Sequence, residues 1–274
     1  MMTNAELQQK PIGIFDSGVG GLTVVAEVFK LLPEENIVYF GDVGRYPYGG
    51  RSKETIQNFA RQDVRFLLEH QVKFIIVACN SASSVALEEI QKENDIDILG
   101  VIEPGARAAV NNTGNNRIGI IGTKATIGSD SYAKAIQRRR QETKVFSLAC
   151  PLFVPLAEEG YIEKEATHLI ASDYLKTLIN LDIDTLVLGC THYPLLKDVI
   201  ARVMGERVRL IDSAEETARE LAALLSLKNL LRPSGGDISH KFYVSDVPDK
   251  FSQIAERFLG RQIDNITRVD ITRY

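Results

Sequence analysis

The sequence lacks the long apolar segments that would place it in a membrane. No apolar run approaches the roughly 18 residues that span a bilayer. Residues 1–10 also lack the hydrophobic core of a signal peptide. We therefore expect a cytoplasmic protein with no membrane partner.

Cysteine is scarce as well. The chain has Cys79, Cys150 and Cys190, an odd number with no CxxC spacing. This pattern supports neither a disulfide framework nor a structural zinc site. Whatever the three residues do, we expect them to do it as thiols.

An excess of positive charge is also absent. The 32 Lys and Arg residues are outnumbered by 36 Asp and Glu, which gives a formal net charge of -4. The isoelectric point is near 5.7, so nothing in the charge favours general nucleic-acid binding. The one basic cluster, residues 138–140, is typical of a solvated helix end. What remains is a globular composition over 274 residues, long enough for about two domains.

Short apolar runs alternate with amphipathic stretches along the chain. The runs predict strands at residues 11–15, 36–40, 74–78, 117–121, 144–148, 185–188, 207–211 and 241–244. Helices are predicted at residues 22–32, 52–68, 162–179, 213–225 and 249–258, with Ser213 and Glu216 forming a capping box. Such alternation indicates an α/β fold in which helices wrap parallel sheets.

A weak internal repeat indicates that the α/β unit is duplicated. Residues 12–15 before Asp16 resemble residues 118–121 before Gly122, and residues 75–81 resemble residues 186–192. We place the junction near residues 103–105 and the end of the second unit near Asp212. From pattern alone, the chain from Ser213 onward is either a tail of the second unit or a return to the first.

One cysteine closes each of two matched strands. Cys79 precedes Asn80 and Ser81, and Cys190 precedes Thr191 and His192. Ligands bind beyond the carboxyl ends of strands in open α/β sheets, so both thiols are predicted to lie where substrate chemistry happens. The alternative is that each is a small apolar core residue, but the core needs no such matching.

Two thiols on two similar domains suggest a cleft with one sulfur on each side of a substrate. Helix N-terminal amides would allow one sulfur to be a thiolate while the other stays protonated. Such a pair could remove a proton from one face of a carbon and replace it on the other. Cys150 has no comparable context and is interpreted as structural.

The loop at residues 16–21, Asp-Ser-Gly-Val-Gly-Gly, leads from the first strand into a helix. It is either a helix-entry loop, with Asp or Ser as the cap and Gly for unusual backbone angles, or part of a site. No phosphate-binding GxxxxGK[ST] is present, and Thr23 replaces the third glycine of GxGxxG. An aspartyl phosphatase is excluded because Gly18 occupies the second acidic position. Asp16 could still orient a thiol or hold an ammonium group.

Other thiol chemistries fit less well. No arginine follows either cysteine closely enough to clamp a phosphate, and a protease-like pair of cysteine and His192 leaves the second cysteine idle. His192 could instead shift the acidity of Cys190 or contact substrate. The remaining histidines, His70, His168 and His240, are interpreted as structural. By default, Glu158 and Glu159 are surface carboxylates.

Several motifs together resemble the glutamate racemases of the cofactor-independent aspartate/glutamate racemase superfamily. The resemblance covers nearly the whole chain and rests on residues 13–21, 46–49, 78–83, 154–156, 189–194 and 211–213. It implies two pseudo-symmetric α/β domains with mainly parallel central sheets flanked by helices and an active site in the interdomain cleft. The domains would be residues 1–103 plus 213–274, and residues 104–212.

The resemblance also implies how the chemistry is divided. Cys79 and Cys190 would be the two bases that interconvert L- and D-glutamate without a cofactor or metal. Asp16 would assist Cys79, while Glu158 and His192 would assist Cys190. Substrate-binding positions would be Asp16, Ser17, Tyr48, Gly49, Asn80, Ser81, Thr191 and His192. The product would supply peptidoglycan precursors, and the protein would be a homodimer.

Two positions depart from the family pattern. Ser81 replaces the usual threonine and keeps its hydroxyl, and Ala157 replaces a common valine before Glu158. A racemase for aspartate or another acidic amino acid remains an alternative. So does a non-catalytic amino-acid-binding or regulatory protein, for which the loss of one cysteine would be expected.

Overall fold

The computed structural model describes residues 3–263 and 265–274. Its strands are β1 Ile12–Asp16, β2 Ile37–Gly41, β3 Phe74–Val77, β4 Ile98–Gly100, β5 Arg117–Gly122, β6 Lys144–Ala149, β7 Thr185–Gly189, β8 Arg209–Asp212, β9 His240–Val244 and β10 Ile266–Arg268. Its α-helices are α1 Asn4–Gln9, α2 Leu22–Leu31, α3 Lys53–Glu69, α4 Asn80–Val85, α5 Leu87–Glu93, α6 Ile102–Asn112, α7 Lys124–Gly128, α8 Ser131–Arg139, α9 Phe153–Glu158, α10 Glu165–Ile179, α11 Lys197–Met204, α12 Ser213–Leu227 and α13 Pro248–Leu259.

The strands form two parallel sheets. A six-stranded sheet has the order β10-β9-β2-β1-β3-β4, and a four-stranded sheet has the order β6-β5-β7-β8. Strands β1, β3 and β7 are buried along their whole length, which is expected where helices cover both faces of a parallel sheet. The predicted α/β fold class is therefore confirmed.

The two sheets share one topology, which explains the sequence repeat. The order β2-β1-β3-β4 matches β6-β5-β7-β8, so the two repeated segments occupy equivalent strands. Their register matches too, because Gly13 pairs with Ile75 in one sheet and Gly119 with Leu186 in the other. Strands β9 and β10 join the six-stranded sheet beside β2, so the chain returns there after α12.

Several elements were not predicted, including two strands and helix α6. Strands β4 and β10 have three residues each, too few for a clear periodic pattern. Helix α6 begins at Ile102 and carries Pro104 and Gly105 in its first turn, where the sequence suggested a junction. Proline is tolerated there because its missing N–H would have no partner within the helix. Helix α6 packs against α8 and β7, while α12 packs against both α6 and α2.

The predicted capping box at the start of α12 was wrong. Asp212 is the capping residue, and its side chain accepts a hydrogen bond from the N–H of Ala214 at 2.9 Å. The Ser213 hydroxyl instead donates to the Leu188 carbonyl at 3.0 Å, which ties α12 to β7. Within residues 3–263 and 265–274, no helix is long and apolar enough to cross a membrane.

Candidate active site

The loops at the carboxyl ends of β1, β3, β5 and β7 surround a cavity of about 430 Å³. Its walls come from both domains, named here after their six-stranded and four-stranded sheets. Ten of the predicted site residues line it: Ser17, Tyr48, Gly49, Cys79, Asn80, Ser81, Glu158, Cys190, Thr191 and His192. A larger groove, of about 760 Å³, contains none of them.

Cys79 lies in a dry part of the cavity wall. It is the residue before α4, its side chain is buried, and its Sγ is 3.6 Å from the Ser17 hydroxyl oxygen. Burial, together with the nearby Asp16 carboxylate, raises the pKa of Cys79 to about 12. This thiol therefore holds its proton at neutral pH.

Asp16 ends β1 but does not itself line the cavity. Its side chain is fully buried, and Oδ2 accepts a hydrogen bond from the Gly18 N–H at 3.2 Å. Oδ1 has no hydrogen-bond partner among the described residues. Burial raises the pKa of Asp16 above its usual range, although the charge of His192 and nearby backbone N–H groups oppose that rise. A buried, half-satisfied carboxyl group of this kind can exchange a proton with a neighbour.

A different group lies beside Cys190. The Cys190 Sγ is 3.8 Å from His192 Nδ1, and His192 Nε2 is 2.8 Å from Glu158 Oε1. Burial lowers the pKa of the imidazole, but contacts with Cys190 and Glu158 outweigh it and raise the pKa of His192 to about 10. Glu158 is the last residue of α9 and its side chain is 19% exposed, so it is not the free surface carboxylate of the default interpretation.

Hydrogen bonds join the two domains at the cavity. The Ser81 and Thr123 hydroxyl oxygens are 2.9 Å apart. Thr23 directs its hydroxyl toward both the Gly20 carbonyl, at 2.9 Å, and the Thr191 carbonyl, at 3.1 Å. The cavity is thus framed by direct contacts between the loops that carry its polar residues.

Position 20 requires glycine because there is no room for a side chain, not because of its backbone angle. Its φ is not positive, so an unusual backbone conformation does not explain it. A Cβ at this position would lie 2.4 Å from Thr191 Oγ1 and 2.5 Å from His192 Nδ1. The loop after β1 therefore presses directly on the loop that carries Cys190.

Two predicted binding residues use some of their polar atoms elsewhere. The Tyr48 hydroxyl donates to Asp42 and also lies 3.0 Å from Asp63, so it is engaged outside the cavity. The Asn80 Oδ1 accepts a hydrogen bond from Tyr132 at 2.8 Å, whereas its Nδ2 is buried without a partner among the described residues. Asn80 therefore offers a free donor beside Cys79.

Sequence reasoning missed several cavity residues. Thr123 could have been found, because it follows Gly122 as Ser17 follows Asp16 in the repeat. Lys124 places an exposed cation at the cavity and had no sequence signal. Tyr46 lies in the motif at residues 46–49, but the resemblance implied no role for it. Its ring centroid is 6.2 Å from that of His192, and burial together with Glu158 raises its pKa.

The remaining candidate residues lie outside this cavity. Cys150 does not line it; its carbonyl accepts a hydrogen bond from Tyr193 at 2.8 Å. His70, His168 and His240 do not line it either. All three cysteines are free thiols. Over the part of the chain that the structure describes, no group of three His, Cys, Asp or Glu side chains is arranged to hold a metal ion.

Comparison with known proteins gives a consistent set of relatives. The model of the Asp/Glu/hydantoin racemase family matches residues 23–221. A glutamate racemase of Geobacter metallireducens is 52% identical over 262 residues, which cover 96% of this chain and 97% of that protein.

Solved structures agree. A Bacillus anthracis glutamate racemase isoform superposes with a TM-score of 0.93 at 43% identity and covers 96% of this chain and 98% of its own. The Francisella tularensis glutamate racemase, solved in complex with D-glutamate, gives a TM-score of 0.92 at 39% identity, with 97% and 100% coverage.

Proposed function

This chain belongs to the Asp/Glu/hydantoin racemase family, and we propose that it interconverts L- and D-glutamate by moving the α-proton between Cys79 and Cys190. The observation that carries the proposal is the placement of the two thiols. They close equivalent strands of two matched sheets and line one cavity. Each also has its own acid–base partner.

In one direction, a thiolate on Cys190 removes the α-proton as the thiol of Cys79 delivers its proton to the opposite face of the same carbon. The Cα–H bond breaks, a new Cα–H bond forms, and the two sulfurs exchange protonation states. The reverse reaction uses the same atoms. A protonated Cys79 suits the donor role, and an imidazolium on His192 stabilises a thiolate on Cys190.

Each thiol needs a partner that follows its change of charge. Asp16 and Ser17 serve Cys79 in the proposal, through the buried carboxyl group and the 3.6 Å contact. His192 serves Cys190, and Glu158 holds the imidazole by its other nitrogen. Orientation of an imidazole by a carboxylate is a recurring way to fix its tautomer and charge.

Removing a proton beside a carboxylate places negative charge on that carboxylate. Preorganised donors in a closed cavity stabilise such charge strongly. Here they are the unpaired Asn80 Nδ2 and the hydroxyls of Ser81, Thr123 and Thr191. Lys124 adds a cation for a substrate that carries two carboxylates.

The wider setting is part of the same proposal. D-glutamate would be used for peptidoglycan synthesis by a cytoplasmic homodimer that binds no nucleic acid. We also propose the domain division at residues 1–103 plus 213–274 and 104–212. In support, β9 and β10 extend the six-stranded sheet, although α12 contacts helices of both domains.

The function is tested by proton NMR of L-glutamate in D₂O with purified protein and no added cofactor, together with a chiral assay. Loss of the α-proton signal with formation of D-glutamate is expected. Cys150→Ala is a matched control, because this thiol lies outside the cavity. Exchange with aspartate but not glutamate would move the assignment to the alternative racemase. No exchange with either would favour a binding protein.

A further inference from the structure

Backbone hydrogen bonds cap the carboxyl end of helix α9, but they do not include the carbonyl of its last residue, Glu158. Gly160 has a φ of +71°, and its N–H donates to the Ala157 carbonyl at 3.2 Å. The Tyr161 N–H donates to the Leu156 carbonyl at 2.9 Å. This pair of bonds is the Schellman arrangement that commonly ends a helix. The Glu158 carbonyl takes part in neither bond.

A side chain from the other domain binds that carbonyl. Arg257 donates from Nη1 to the Glu158 carbonyl oxygen at 2.6 Å. Arg257 belongs to α13, which packs against α2 and β10 of the six-stranded-sheet domain. Its cation faces the negative end of α9, where a positive charge is favourable. The same guanidinium covers Gly160, where a Cβ would lie 2.9 Å from Cζ.

The next residue of α13 contacts His192, which is hydrogen-bonded to the Glu158 side chain. Phe258 is buried, and its ring centroid lies 5.3 Å from that of His192, at an interplanar angle of 82°. This is an edge-to-face contact, which fixes the orientation of the rings. Two successive residues of one helix therefore hold Glu158 by its backbone and His192 by its ring.

We propose that Arg257 and Phe258 are positioning residues of the racemase: α13 holds Glu158 and His192 in the geometry that serves Cys190. The acid–base group beside Cys190 is then complete only when the two domains are in contact. The inference rests on the proposed function. It assigns to α13, whose described side chains do not line the active-site cavity, control over one of the two proton transfers.

Arg257 is exposed, so its replacement tests positioning with little risk to folding. In Arg257→Met, we expect kcat to fall on the order of tenfold with KM changed by less than about twofold, since small displacements of catalytic groups are costly. Arg257→Lys keeps a donor and should recover part of the loss. Arg219→Met is the matched control, because Arg219 is an exposed arginine that pairs with Glu215 in its own helix.

A double-mutant cycle separates positioning from a structural role. In a Glu158→Gln background, Arg257→Met should lower kcat much less than it does in the wild type, because both changes act through one group. The alkaline limb of the wild-type rate profile should also move to lower pH in Arg257→Met, since a displaced carboxylate no longer supports the imidazolium. Phe258→Leu should also lower kcat.

Two results would overturn the inference alone: normal kcat in Arg257→Met, or losses that simply add in the Glu158→Gln background. Both require a wild-type protein that racemises glutamate. Absence of wild-type racemisation would instead overturn the proposed function, so the two failures are distinct.

Discussion

The two sides of the cavity share a scaffold but not a chemistry. Strands β1 and β3 on one side correspond to β5 and β7 on the other in both order and register. The residues at their carboxyl ends differ. Asp16 and Ser17, at the end of β1, correspond to Gly122 and Thr123, at the end of β5, and Ser81 corresponds to His192.

The position of the two thiols and the chemical groups around them therefore have separate origins. The duplicated fold explains why the thiols line one cavity, and the unequal neighbours give each thiol a different electrostatic environment. Burial beside a carboxyl group raises the pKa of Cys79 to about 12, whereas Cys190 faces an imidazole whose pKa is raised to about 10. A symmetric scaffold therefore carries an asymmetric pair, as a racemase needs if one sulfur accepts the proton while the other donates.

The largest effect is expected from removing either thiol. Cys79→Ala and Cys190→Ala should each reduce racemisation by about a thousandfold or more, because in the proposed mechanism each removes one of two obligatory proton-transfer groups. Circular dichroism at a glutamate band, followed from either enantiomer, measures this. Normal turnover in both directions by either variant would contradict the two-thiol mechanism, whatever the other variant does.

The next largest effect is expected from replacing the carboxyl group on each side of the cavity. Asp16→Asn and Glu158→Gln should each lower kcat by about a hundredfold, within the range typical of acid–base groups. L- and D-glutamate have equal free energies, so kcat/KM for the unlabelled substrates must fall equally in both directions. Primary isotope effects with α-deuterated substrates are therefore the useful measurement.

The two variants should differ in which enantiomer responds. Asp16→Asn should raise the isotope effect for the enantiomer deprotonated by Cys79, and Glu158→Gln should raise it for the enantiomer deprotonated by Cys190. Equal effects on both enantiomers in both variants would show that the partners do not act on separate thiols.

Much of the fold could be predicted, because parallel strands buried on both faces are continuous apolar runs. Eight strands were predicted in this way, and each lies within a few residues of its observed bounds. Strands β4 and β10 are too short to give that signal. Helix α6 was hidden by Pro104 and Gly105, which suggested a junction but are accommodated in its first turn. Local pattern therefore failed where an element was too short or contained residues that usually interrupt a helix.

The site was also only partly predictable. The placement of both thiols at one cavity could be predicted because they close repeated strands, and the same repeat could have predicted Thr123. Contacts between distant segments gave no sequence signal. Arg257 contacts Glu158 at a sequence separation of 99. The lack of space that requires glycine at position 20 is visible only when Thr191 is placed against it.

A smaller, one-sided effect is expected from Gly20→Ala. The added Cβ would meet Thr191 and His192, so this change in the six-stranded-sheet domain should disturb the residues around Cys190. We expect kcat to fall by about tenfold with a larger isotope effect for one enantiomer only. Gly128→Ala is the control, because no atom of the described residues lies within 4 Å of a Cβ there and Gly128 lies outside the cavity. Unchanged kinetics in Gly20→Ala would mean that the two loops move independently.

The smallest effect concerns stability, and it distinguishes the two sides by pH. The pKa of His192 is raised from 6.5 to about 10, so the stability that its protonation contributes is complete below pH 6.5 and is lost as pH rises through 10. The pKa of Cys79 is raised from 9.0 to about 12, so the stability that its protonation contributes is lost at higher pH.

Between pH 7 and pH 9, the unfolding free energy of the wild type should therefore fall more steeply than that of His192→Asn, whereas Cys79→Ala should keep the wild-type slope. Denaturant titrations across this window measure the slopes. Parallel slopes in the wild type and His192→Asn would mean that His192 is not held as an imidazolium, and the contrast between the two sides would then rest on Asp16 alone.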